Sequence, residues 1–198
     1  MTGLTAAGVT VTFGGRTVLD EVDLVAPAGA VTGVTGASGS GKTTLLRVLA
    51  GLLIPDAGEV IRGRSVALLA QHPRLVCNPR WTLGRIVAEP AVIRRERLDI
   101  DEIAVRVGLE PELLDRYPGQ VSDGQLQRAC LARVLAQRAE VVLCDEPTAM
   151  LDPIATGSVI TLLREIADGG AAVVLVSHDP ALIDALAGHA FALPRPLG

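Results

Sequence analysis

Ala30-Val31-Thr32-Gly33-Val34-Thr35-Gly36-Ala37-Ser38-Gly39-Ser40-Gly41-Lys42-Thr43-Thr44 is the stretch whose reading decides the fold. Ala30–Val34 is a short apolar run with the length of a buried strand. Gly36–Thr43 fits the phosphate-loop pattern G-x-x-x-x-G-K-[ST], and from Lys42 to Gly51 the apolar residues recur at helical spacing. Strand, glycine-rich loop and helix are the context that pattern needs. Glycines let the backbone curl so that successive N–H groups face phosphate, and the helix start adds its positive dipole end. Lys42 is expected at the β- and γ-phosphates and the Thr43 hydroxyl on Mg²⁺, with Gly36, Ala37, Ser38, Gly39, Ser40, Gly41 and Thr44 completing the contacts to nucleotide. Lys42 is also the only lysine beside 17 arginines. A planar guanidinium does not replace a compact ammonium in a tight phosphate cradle.

Downstream, Val141-Val142-Leu143-Cys144-Asp145-Glu146 is an apolar strand ending in two carboxylates. Alone it is a common strand-end turn. Buried parallel strands end at the ligand crevice, so beside a phosphate loop the two acids point to phosphoryl chemistry. Asp145 suits Mg²⁺, and Glu146 suits an attacking water.

The remaining pattern supports one α/β domain with an insert. Strands are expected at Gly8–Phe13 and Thr17–Val25 around a Gly14-Gly15 turn, and again at Val66–Ala70. Residues from about Thr82 to Gln137 read as helical. After Val141–Cys144 come a helix over Ile154–Ala167, a strand at Ala171–Val176, a helix over Pro180–Ala187 and a short strand near Phe191. The net charge of −4 is scattered, which argues against nucleic acid as a partner. Cys77, Cys130 and Cys144 are too irregularly spaced for a zinc site, and their odd number disfavours a disulfide framework. They read as buried thiols of a reducing cytosol. No apolar run reaches the length of a membrane span, and no signal peptide is expected.

Four further features carry a family resemblance. Val121-Ser122-Asp123-Gly124-Gln125 resembles the signature of the ABC ATPases, usually Leu-Ser-Gly-Gly-Gln; Asp145-Glu146-Pro147-Thr148-Ala149-Met150-Leu151-Asp152 resembles their Walker B and D-loop; Gln71 resembles the Q-loop glutamine and His178 the switch histidine. Taken singly, His178 is an ordinary strand-end histidine and Gln71 a surface amide. Phe13 stands where the family stacks an aromatic on adenine, although it also reads as plain core.

The resemblance implies a P-loop NTPase (RecA-like) α/β core with an N-terminal antiparallel β subdomain and an inserted helical subdomain. The core falls on residues 1–71 and 138–198 and the insert on 72–137. It implies ATP and Mg²⁺ as cofactors, with Gln71 joining Thr43 and Asp145 at the metal and Glu146, His178 and Gln71 as the catalytic set. A second ATPase subunit, identical or different, pairs head to tail, so that Ser122, Gly124 and Gln125 close over the ATP held by the other chain while Asp152 spans the interface. Transmembrane permease subunits, and indirectly a solute-binding protein, are the implied partners, and the chain itself is expected to be cytoplasmic, peripheral on the inner face of the cell membrane. Asn78-Pro79-Arg80-Trp81-Thr82-Leu83 and Glu89-Pro90 resemble the peptide/nickel importer branch. A soluble repair or translation ATPase is the rival reading, and a non-catalytic scaffold a second; the first lacks a coiled coil or second ATPase domain here, the second is disfavoured by Glu146 and His178.

Two departures stand out. Asp123 replaces the usual first glycine of the signature, and a carboxylate near the γ-phosphate repels it unless solvated or paired. Either Asp123 points outward and leaves Ser122 and Gly124 functional, or this signature closes its site poorly and a partner subunit supplies the better one. The short interval from Lys42 to Gln71 implies a trimmed antiparallel subdomain.

Overall fold

The computed structural model describes residues 3–149, 151 and 153–194, and the chain divides into two compact units. The first comprises Met1–Leu68, Glu140–Glu146 and Leu163–Gly198; the second comprises Leu69–Ala139 and Pro147–Leu162.

The first unit contains two sheets. β1 (Leu4–Phe13) turns through Gly14-Gly15 into β2 (Arg16–Ala26), both glycines having positive φ as a tight hairpin requires. In β1 the buried residues are Leu4 and Ala6, then Val9 and Val11. That change of phase coincides with a register shift between Ala6 and Val9, so a bulge keeps both pairs on the core face. A strand the sequence pattern does not announce, β4 (Ala57–Ile61), pairs antiparallel with β1 and gives the sheet order β2-β1-β4.

The second sheet has the order β5-β6-β7-β3-β8, formed by β5 (Val66–Leu69), β6 (Val141–Asp145), β7 (Ala172–Val176), β3 (Val31–Thr35) and β8 (His189–Ala192). β3, β7 and β8, and likewise β6 and β7, run parallel. Every residue of β6 and β7 is buried, as expected of parallel strands covered on both faces. Helix α1 (Lys42–Leu49) lays Leu45, Leu46, Val48 and Leu49 into a core shared with Leu4, Leu19, Leu143 and Val174. Because β6, β7 and β3 are parallel neighbours, the segments that follow them leave the sheet at one edge. That places the phosphate loop, Glu146 and Ser177-His178 side by side.

The second unit is helical, with α2 (Pro73–Val76), α3 (Leu83–Arg94), α4 (Ile100–Arg106) and α5 (Asp123–Gln137). Each long helix starts on a polar cap: Thr82 accepts from the Arg85 N–H, Asp99 from Glu102 and Ser122 from Gln125. Arg94 on α3 donates to the carbonyls of Ala136 and Gln137, closing the C-terminal end of α5. α6 (Pro153–Asp168) returns to the first unit, and α7 (Pro180–Leu186) follows β7.

Candidate nucleotide site and signature turn

The loop after β3 turns through positive φ at Gly39 (75°) and Gly41 (97°). Gly41 is the N-cap of α1 and provides no side-chain acceptor, so the first-turn N–H groups have no side-chain cap and face outward as an anion site. A Cβ at Gly41 would meet the Val18 carbonyl oxygen at 2.9 Å and the Leu19 Cδ2 at 3.0 Å, so glycine is required twice over. Lys42 Nζ donates to the carbonyls of Gly36 (2.8 Å) and Ala37 (2.9 Å), which holds the ammonium over the loop. The buried Ser40 Oγ has no hydrogen-bond partner among the described residues. A glycine cradle, an aimed cation and an orphaned hydroxyl fit a bound polyphosphate.

The Thr43 hydroxyl donates to Asp145 Oδ2 at 2.9 Å, joining the start of α1 to the end of β6. These are two hard oxygen atoms of the kind that could hold a cation. Among the described residues no group of three or more His, Cys, Asp or Glu is arranged to hold a metal ion. Such sparse protein ligation fits Mg²⁺, which keeps several waters and binds through one or two protein oxygens plus phosphate. Burial lifts the Asp145 carboxyl above its ordinary range; the Thr43 hydrogen bond opposes this, the neighbouring Glu146 adds to it, and Lys42 opposes it more weakly. Directly before it, the Cys144 thiol is fully enclosed and pushed up to about 12 by burial and by Asp145.

Glu146 adopts a left-handed φ of 49°, unusual for a side chain with a Cβ, while its N–H donates to the Val176 carbonyl at 3.0 Å. A strained residue over-determined by its surroundings is characteristic of a working site. Its buried carboxylate accepts the His178 backbone N–H at 2.9 Å and the Ser177 hydroxyl at 3.2 Å. His178 Nδ1 stands 2.9 Å from the same carboxylate, with the imidazole otherwise 74% exposed. Thus Lys42, Thr43, Asp145, Glu146 and His178 meet on the first unit. Ser177 is an addition that no motif announces. Phe13 ends β1 with 51% of its surface exposed, which removes the plain-core alternative for it.

Gln71 lies in the second unit, just past β5, and so does the signature turn. Ser122 and Gln125 form a capping box: Ser122 Oγ accepts the Gln125 N–H at 3.1 Å, and Gln125 Oε1 accepts the Ser122 N–H at 2.9 Å. Ser122, Gly124, Gln125 and Arg128 line a cavity of about 450 Å³ together with Glu110 and Leu113. Asp123 faces a different concavity, beside His72, Arg74 and Leu75, and its Oδ1 accepts from Arg74 Nε at 2.5 Å. The carboxylate is therefore turned outward and paired, with a partner 49 residues away that sequence reading passed over. Asp152 lies outside the described residues.

The family model described as ABC transporter matches residues 19–149. The probable D,D-dipeptide transport ATP-binding protein DdpF of Escherichia coli (strain K12) is 37% identical over 175 residues, covering 83% of this chain and 57% of its own length. The methionine import ATP-binding protein MetN of Cereibacter sphaeroides is 35% identical over 86% of this chain and 54% of its own. The oligopeptide transport ATP-binding protein OppF of Haemophilus influenzae is 32% identical over 79% and 54%. The chain thus spans about half the length of the curated relatives it matches. Among solved structures, the dimeric cassette MJ0796 bound to ADP and Pi superposes with a TM-score of 0.87, at 25% identity, over 96% of this chain and 94% of its own. The matched span takes in the phosphate loop, the signature turn and the acidic strand end on a cassette backbone, and the chain belongs to the ABC transporter family.

Proposed function

We propose that this chain binds and hydrolyses ATP to energise an importer, working as one of two ATPase subunits on the cytoplasmic face of a membrane. The observation that carries this reading is the Glu146 carboxylate. It is buried, strained and steered by Ser177 and His178 at the strand edge where the phosphate loop also emerges. Loop N–H groups and Lys42 bind the β- and γ-phosphates. Thr43 and Asp145 would hold Mg²⁺, with Gln71 as the further ligand the family resemblance implies, and a bound ion would supply positive charge against the phosphates. Glu146 orients a water and accepts its proton as the oxygen bonds to the γ-phosphorus and ADP departs. His178 contacts the γ-phosphate. Ser122, Gly124 and Gln125 of the second subunit cover the nucleotide, Phe13 stacks on adenine, and the family resemblance gives Asp152 the role of communicating between the two subunits.

The residues 78–83 and 89–90, together with relatives named for D,D-dipeptide and oligopeptide transport, favour peptides or nickel as the cargo. The similarity to a methionine import ATP-binding protein favours a free amino acid instead. Among the described residues no helix is long and apolar enough to cross a membrane, so the pathway itself belongs to permease partners in this reading.

Mg·ATP turnover of the chain beside Glu146→Gln tests the proposal. A positioned general base contributes roughly 10²- to 10⁴-fold, so the variant should lose at least about a hundredfold while still binding ATP. Turnover within about threefold of the parent would remove Glu146 from the reaction.

A further inference from the structure

Arg74 is the one arginine of α2, and all three of its guanidinium nitrogens are engaged on the signature turn. Nε donates to Asp123 Oδ1, Nη1 to the Pro118 carbonyl at 2.8 Å and Nη2 to the Val121 carbonyl at 2.9 Å. The fork thus spans the whole segment that delivers Ser122, from the 3₁₀ turn Pro118–Gln120 to the first residue of α5. The pair is half exposed, 45% for Arg74 and 49% for Asp123. An ion pair this wet contributes little to stability, so its consequence lies in geometry.

We propose that Arg74 is a positioning residue for the signature turn and that Asp123 is its counter-ion. The aspartate takes the place where the signature usually has glycine. Left alone, a carboxylate there would repel the γ-phosphate that Ser122 and Gly124 are to cover. Held by Arg74, it faces the concavity beside His72 and Leu75, away from the cavity that Ser122, Gly124 and Gln125 line. A lysine does not reproduce the arrangement, because only the planar fork meets three acceptors at once. The two residues therefore act as a unit. Arg74 also follows Gln71 by three positions, so the segment after that glutamine and the signature turn are tied together inside the helical unit. This inference rests on the reading of the signature as the cover over a second subunit's ATP.

The test is a double-mutant cycle on the full chain with two readouts. In the nucleotide-free protein, hydrogen exchange of the peptide over residues 118–125 should rise about tenfold or more in Arg74→Met and by less in Arg74→Lys, with α1 unchanged. In the Glu146→Gln background, ATP-driven self-association followed by sedimentation should weaken about tenfold in Arg74→Met. Adding Asp123→Gly to that variant should restore association to within about threefold, since the unpaired charge is gone. Unchanged exchange in Arg74→Met overturns the proposal, and so does a double variant that associates as weakly as the single one. If the Glu146→Gln chain binds ATP but never self-associates, the self-pairing version of the function fails, and the exchange readout still judges Arg74.

Discussion

Replacing Gly41 by alanine separates what the phosphate loop needs from what its neighbours allow. Gly41 sits at φ 97°, and a Cβ there meets the Val18 carbonyl oxygen at 2.9 Å, with Val18 Cγ1 and Leu19 Cδ2 both at 3.0 Å. Left-handed backbone costs an L-residue about 1–2 kcal/mol. Overpacking against a strand backbone that cannot rotate away adds about 1–3 kcal/mol. Gly39 is the internal control: its φ of 75° carries the same conformational cost, but a Cβ there meets nothing within 4 Å. For a chain of this size each kcal/mol moves the midpoint by about 2–4 °C. Gly41→Ala should therefore lower Tm by roughly 10 °C, and Gly39→Ala by roughly 4 °C. Thermal melts followed by circular dichroism without nucleotide would read the difference, and urea midpoints would check it. A Gly39→Ala midpoint as low as that of Gly41→Ala would refute the steric half of the reasoning. A Gly41→Ala protein within about 1 kcal/mol of the parent would refute all of it.

Three further outcomes follow from named contacts. Thr43→Val removes the hydroxyl that binds Asp145, so ATP affinity should fall roughly tenfold with Mg²⁺ and change little in its absence, as read by fluorescent-nucleotide titration. The Cys144 thiol ionises at an ordinary 9.0 when unfolded and at about 12 when folded. Its contribution is thus complete below pH 9 and declines above it, where only the unfolded chain ionises, with a slope of at most about 1.4 kcal/mol per pH unit. Urea unfolding at about pH 8 and pH 10 should show the parent losing about 1.4 kcal/mol more than Cys144→Ala, and equal losses would reject the burial argument. Arg94→Met frees the carbonyls of Ala136 and Gln137 at the end of α5 and should cost about 1–2 kcal/mol in the same assay, whereas a loss below about 0.5 kcal/mol would show that water caps that helix equally well.

The readable part of this protein is the part written in contiguous residues. The phosphate loop needs eight neighbours in order, and the glycines it requires are visible as glycines. The strands at 31–35, 141–145 and 172–176 are legible as apolar runs because parallel strands are buried on both faces. The start of α5 is equally local, since Ser122 and Gln125 cap each other across three residues. What tertiary structure decided lies in pairings between distant segments. β4 is mostly exposed and carries no periodic pattern; it is a strand because the edge of β1 is there to pair with it. The bulge between Ala6 and Val9 reconciles two apolar phases that a straight strand would set on opposite faces. Ser177 reaches Glu146 across 31 residues and Arg74 reaches Asp123 across 49, and neither partner stands out in its own neighbourhood. Asp123 shows the division most clearly. As a residue it is a departure that threatens the nucleotide site; as a paired side chain it faces elsewhere, because electrostatics depends on separation in space and the chain order records only separation along itself.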